Sequence, residues 1–202
     1  FLTDEERAAL TVELLERVYV QSYNRSKEDP SWLDACKAEL VKLQQGDPEN
    51  RSVWERFIAI SLDEFNRVYK RLDVGFDLCR GESFYNDMLA ETVQVLQNKG
   101  LAVESEGALV VKLEAEGMPV CIVRKSDGGF NYATTDIATV RSRAAEFAPD
   151  RIVYVTDERQ QLHFKQFFAV CAKLGYTTHL EHVWFGLMRL PEGTFSTRQG
   201  NV

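Results

Sequence analysis

The chain has 202 residues, 45% of them hydrophobic, and its 31 acidic and 24 basic side chains give a net charge of −7. That length supports one large domain or two modest ones, and the acidic balance excludes unspecific nucleic-acid binding as its main work, leaving only local contact with RNA. No run approaches the ~18 apolar residues of a membrane span, and no basic-then-apolar leader opens the chain.

Residues 1 to 100 read as helices, because start and stop signals recur with apolar residues three and four apart between them. Thr3-Asp4-Glu5-Glu6 is a capping box that predicts one helix with Leu10, Leu14 and Val18 on its buried stripe. Asp29-Pro30 and Asp47-Pro48 each set a capping side chain ahead of a proline suited to the first helical position. The helix after Pro30 carries Leu33, Cys36, Leu40 and Leu43. The one after Pro48 carries Trp54, Phe57 and Ile58 and is expected to stop where Ser61-Leu62-Asp63-Glu64 recaps the chain. A further helix then holds Phe65, Val68, Tyr69 and Leu72. Ser83 is the expected cap of another, with Met88, Leu89, Val93 and Leu96 on its face and Lys99-Gly100 as its end.

The pattern then changes to two short β-type runs, Ala108 to Leu113 and Pro119 to Arg124, which predict a small hairpin. After Asp127-Gly128-Gly129 the elements alternate: a helix near Thr134 to Phe147, a strand Ile152 to Val155, a helix from about Asp157 to Leu174 and a strand Leu180 to Trp184. That order implies an α/β fold with a parallel sheet. Ligands of such sheets sit beyond the carboxyl ends of the strands, which directs attention to Thr156 to His163 and Phe185 to Arg189.

The four cysteines, Cys36, Cys79, Cys121 and Cys171, lie far apart in apolar stretches with no C-x-x-C pair. A reduced, cytoplasmic setting and no protein-bound metal are expected. Phe1 in place of methionine and a finish in Gln199-Gly200-Asn201-Val202 read as cuts in a longer protein.

Four stretches together resemble the arginyl-tRNA synthetases of class I: Gly81-Glu82-Ser83, the D-G-G-F-N-Y-A-T-T-D-I run from Asp127 to Ile137, Tyr154 to Phe168, and the F-S-T-R-Q-G run from Phe195 to Gly200. Each is short, but their order and spacing match one family over essentially the whole chain. The resemblance implies a Rossmann-like catalytic domain interrupted by a mainly helical connective insertion, with residues 1–125 in the insertion region and 126–202 in the second half of the catalytic fold. It also implies activation of L-arginine by ATP, taken as Mg-ATP, followed by transfer of the arginyl group to the 3′ end of arginine tRNA by a monomeric enzyme. In this family activation usually needs bound tRNA. The H-I-G-H signature of the class is absent, so the chain is expected to be an internal piece, inactive alone and marginally stable where missing strands would expose sheet edges and faces.

Tyr132 and Asp136 are four residues apart at the start of a helix, so both line one face. Near a helix N-terminus Asp136 should stay ionised and can hold a guanidinium through two parallel hydrogen bonds. On spacing alone a first-turn acid and a core tyrosine explain them better; the resemblance reverses this and makes them the Y-x-x-x-D arginine-binding motif. It likewise makes Glu82 a second carboxylate for the arginine side chain and Gln160 a contact of that substrate, although Glu82 alone reads as a solvated acid. Gln160 and His163, three apart, are expected to face the cleft together. His163 matches a motif histidine near the nucleotide, and its bare reading is a satisfied, half-buried helix residue. His179 and His182 receive no role.

Gly186-Leu187-Met188 after the last strand is the expected adenine platform, where a glycine lets a flat ring approach the backbone. Ser196, Thr197 and Arg198 resemble this family's form of the loop that closes on the triphosphate, with Ser196 and Arg198 as the catalytic candidates. Both lysines of the class pattern are missing, Thr194 and Thr197 standing in their places. Two alternatives stay open on the sequence: a sister synthetase or nucleotidyltransferase of the same fold class, and a non-catalytic interaction module.

Overall fold

The computed structural model describes residues 1–186, 189–191 and 193–194. The chain divides into two compact units, one built on Phe1–Asp77 and the other formed by Leu78–Leu187. The strands β6 (Arg189–Leu190) and β7 (Gly193–Thr194) pair antiparallel. The change of compact unit thus falls after Asp77, ahead of the change from helical to β-type sequence.

In the first unit α1 (Asp4–Ala8) opens on the expected capping box, with Thr3 Oγ1 accepting from the Glu6 amide at 3.2 Å and Glu6 Oε2 accepting from the Thr3 amide at 2.9 Å. The single helix expected behind it is two. Thr11 recaps the chain by accepting from the Leu14 amide, and α2 (Val12–Glu28) carries Leu14 and Val18 while Leu10 lies in the link. Both aspartate-proline signals start helices. Asp29 accepts from the Trp32 amide ahead of α3 (Pro30–Gln44), and Asp47 from the Glu49 and Asn50 amides ahead of α4 (Pro48–Arg71).

The break expected at Ser61 does not occur, and α4 runs on to Arg71. Ser61, Asp63 and Glu64 are residue types that can serve in a cap, but none forces φ away from the helical value, so the ladder of amide-to-carbonyl bonds continues. The helix ends where Asp73 takes a left-handed φ of 55°. Trp32 acts as a staple: its Nε1 donates to Ser22 Oγ at 3.0 Å, and Phe1 meets its ring edge-on.

In the second unit Glu82–Met88 forms a 3₁₀ segment that leads into α5 (Leu89–Asn98). Ser83 is not its cap, because the chain enters α5 directly from the 3₁₀ turn with no side-chain bond at either start. Leu89, Val93 and Leu96 are buried as expected, and Gly100 closes the end with φ 67°.

The small hairpin is a three-stranded antiparallel sheet in the order β1 (Ala102–Ser105), β2 (Ala108–Val111), β3 (Cys121–Arg124). β1 escapes sequence reading because only Ala102 of its four residues is buried, so no apolar alternation marks it. Glu106 and Gly107, both at positive φ, make the two-residue turn to β2.

Beyond it, α6 (Tyr132–Phe147), β4 (Arg151–Asp157), α7 (Gln161–Leu174) and β5 (His179–Phe185) follow the expected alternation. β4 and β5 pair in parallel, with Tyr154 opposite His182 and Thr156 opposite Trp184. One core joins the two sheets to the helices: Leu96, Leu113, Val123, Ile137, Val140 and Phe167 are fully enclosed in it. Each such side chain stabilises the fold by about 1.5–3 kcal/mol. The alternation is therefore a true α/β unit, and the small antiparallel sheet belongs to its core. No helix among the described residues is long and apolar enough to cross a membrane.

Candidate active site

The turn after β3 delivers the first element of the site. Asp127 Oδ1 accepts from the Gly129 amide at 2.8 Å, and Gly128 takes φ 85°, which only glycine adopts freely. Asn131 then caps α6 by accepting from the Tyr132 amide. The buried Thr134 hydroxyl donates to the Val123 carbonyl and pins the first turn of α6 to β3. Tyr132 and Asp136 emerge on one face, as their spacing requires.

Asp136 lies one turn further into the helix than the dipole argument needs, since the first turn of α6 holds no acid. Its carboxylate is held instead by His163 of α7, whose Nε2 stands 2.5 Å from Asp136 Oδ2. The Tyr132 ring meets the same imidazole edge-on, with centroids 4.6 Å apart. These three residues come together; the aromatic cluster of Phe164 and Phe167 backs them.

The turn from β4 to α7 is locked by Asp157, which accepts from the Arg159 amide and receives its guanidinium on both oxygens at 2.9 Å. Arg159's guanidinium and backbone N–H, with a smaller contribution from the Gln160 side chain, hold the Asp157 carboxyl down to about 2. Gln160 therefore ends the 3₁₀ turn exposed and beside Asp157, while His163 points to Asp136. No hydrogen bond joins Gln160 to His163, Asp136 or Tyr132 among the described residues.

Glu82 is exposed at the start of its 3₁₀ segment. That segment packs on α6 through Tyr85, Leu89 and Ala138. No hydrogen bond joins Glu82 to Tyr132, Asp136 or Gln160 among the described residues. Gly186 follows β5 directly and is exposed, and among the described residues nothing lies within 4 Å of where a Cβ would stand. Leu187, Met188, Ser196, Thr197 and Arg198 lie outside the described residues.

Two residues with no role in the sequence reading sit beside the site. His182 of β5 stacks on Phe164, and burial followed by the charge of His163 moves it below its ordinary 6.5. Tyr154 of β4 is packed among Phe164, Phe167 and Phe168 with its hydroxyl buried, Arg143 lies over its ring, and burial raises it above the usual phenol range. The signal for both was available: they are opposite each other in the parallel register on the side that packs on α7. Burial also pushes Cys121 up to about 11 and Cys171 up to about 12, so neither is a ready thiolate. Among the described residues no three His, Cys, Asp or Glu side chains converge on a possible metal position.

Residues 2–202 match the family model of the catalytic domain of class I (R) tRNA synthetases. The chain belongs to the class I arginyl-tRNA synthetase family. It is 49% identical over 192 residues to the arginine–tRNA ligase of Fusobacterium nucleatum, covering 95% of this chain and 34% of that protein. It is 41% identical over 201 residues to that of Exiguobacterium sibiricum, covering 98% and 36%. The crystal structure of the arginyl-tRNA synthetase of Plasmodium falciparum superposes with a TM-score of 0.70 at 29% identity, covering 78% of this chain and 28% of that one. The chain thus spans about a third of the length of the curated relatives it matches. The α/β class expected from the sequence, a parallel sheet with a mainly helical region, is the class of fold found here, and the expected hairpin gains β1 as a third strand.

Proposed function

We propose that this chain carries the arginine-recognising part of an enzyme that activates L-arginine with ATP and joins it to the 3′ end of arginine tRNA. The observation that supports this best is the Asp136 carboxylate, fixed by His163 with Tyr132 one turn before it on the same face of α6. A guanidinium offers a planar fork of donors, and an ionised carboxylate is its natural acceptor. Glu82 supplies a second carboxylate and Gln160 an amide to the same substrate. An uncharged amino acid would leave such acids unpaired, at a cost of about 1–3 kcal/mol per group.

ATP enters as Mg-ATP, with no metal held by the protein. Gly186, Leu187 and Met188 receive the adenine, with His163 nearby in the family's pattern, and Ser196, Thr197 and Arg198 close on the triphosphate. The arginine carboxylate attacks the α-phosphorus and pyrophosphate leaves; the terminal ribose hydroxyl of the tRNA then takes the arginyl group and AMP leaves. These steps depend on positioning and on stabilising charge at the transferred centre. Residues 1–125 form the connective insertion region and 126–202 the second half of the catalytic fold of a monomeric, cytoplasmic enzyme.

The test is ATP–pyrophosphate exchange with arginine and tRNA, run on this chain and on the full-length protein. The full-length protein should exchange and the 202-residue chain should not. Equal rates from the two would contradict the proposal that this chain holds only part of the site.

A further inference from the structure

We propose that His163 is a positioning residue for the Asp136 carboxylate rather than a contact of the nucleotide. The inference rests on the arginine-site reading above and deepens it. A ring nitrogen 2.5 Å from a carboxylate oxygen carries the proton and donates it, so Nε2 is committed to Asp136 Oδ2. The imidazole cannot swing away easily. Its ring centroid lies 4.6 Å from that of Tyr132, 5.3 Å from Phe164 and 5.1 Å from Phe167. Phe167 is wholly buried and Phe164 almost so, which roots the imidazole in the hydrophobic core.

The arrangement has a direct consequence for binding. His163 is 12% exposed and Asp136 30%, so the histidine is the inner partner and the carboxylate the outer one. Oδ2 is occupied from the core side, while Oδ1 has no hydrogen-bond partner among the described residues. An incoming guanidinium therefore meets a carboxylate already fixed in orientation, with one oxygen free. Without the bond from His163 the carboxylate turns about its side-chain torsions, and substrate binding must bear the ordering cost. Tyr132, which touches the same imidazole, is held in register with it. One histidine thus sets both members of the Tyr132/Asp136 pair.

Steady-state exchange kinetics of the full-length protein with tRNA present separate this role from nucleotide contact. His163→Phe keeps an aromatic ring and deletes the N–H, whereas His163→Gln keeps a donor. The Phe variant should raise KM for arginine roughly 10- to 100-fold, the size of a hydrogen bond to a charged group, and leave KM for ATP within about twofold. The Gln variant should recover part of the loss. Combining His163→Phe with Asp136→Asn should add little to Asp136→Asn alone.

A rise in KM for ATP with KM for arginine unchanged would overturn the proposal. So would equal damage in the Phe and Gln variants, which marks a packing role only. If the Phe variant fails to fold, the Gln variant carries the same test, since its KM for arginine should stand between parent and Asp136→Asn. Failure of the arginine-site reading looks different: the parent itself shows no arginine-dependent exchange, and both readings fall together.

Discussion

The His182 ring lies almost flat on Phe164, with centroids 4.0 Å apart and planes 17° from parallel, and its Nε2 stands 2.8 Å from the Thr156 hydroxyl. This contact ties β5 to α7 and to β4 near the carboxyl ends of the parallel strands, where class I sheets hold their ligands. Trp184 borders the same ring, and His163 and Asp157 are the titratable groups that act on it.

Because the folded state disfavours protonated His182, mainly through burial and then through His163, its contribution to stability has a definite sign. Stability is full above the ordinary value of 6.5 and is lost as pH falls through that value towards the lower folded one. The melting temperature should therefore drop between about pH 7.5 and about pH 5.5. In His182→Gln that drop should shrink. Melting curves with the same pH slope in both proteins would contradict the assignment.

Phe167 is fully buried and touches His163, Tyr154, Phe164 and Phe168. Truncating it to alanine leaves a cavity under the site and should cost about 3–5 kcal/mol in chemical denaturation. A loss below about 1 kcal/mol would mean that the aromatic cluster repacks freely and does not root His163.

Much of the fold is legible in the sequence because it follows from local chemistry. The aspartate-proline caps at Asp29 and Asp47, the glycine at Gly100 and the alternation after Gly129 each act within a few residues. The extra cap at Thr11 and the uninterrupted α4 were misread for one reason: capping residue types are permissive, and tertiary packing decides which of them act. In the site, the four-residue spacing of Tyr132 and Asp136 shows on the page. Their contact with His163 does not, because it is made between two helices and is 27 residues distant in sequence from Asp136.

The continuity of α4 gives a sharp substitution test. Leu62→Pro would be tolerated if Ser61 capped a new helix, since proline suits the first helical position. Within one continuous helix it removes a backbone bond and should cost about 3 kcal/mol or more. Loss of helical circular dichroism with a lowered melting temperature is the expected result; a melt equal to the parent's would restore the two-helix reading.

Val153, Val155, Val183 and Phe185 share the outer side of the β4/β5 pair and are 47%, 64%, 45% and 54% exposed. Parallel sheets are normally covered on both faces, so the isolated chain should bind an apolar dye and self-associate with rising concentration. Val155→Thr with Val183→Thr should reduce both effects. A dye-silent, monomeric sample of the unaltered chain in light scattering would contradict this.

The central claim is that Asp136 recognises a guanidinium, and aminoacylation of total tRNA by the full-length protein, with each standard amino acid in turn and then with Asp136→Asn, tests it most directly. Charging with arginine alone, reduced by about 100-fold or more in the variant, is the predicted result. Charging with a different amino acid, or arginine charging unaffected by Asp136→Asn, would contradict it.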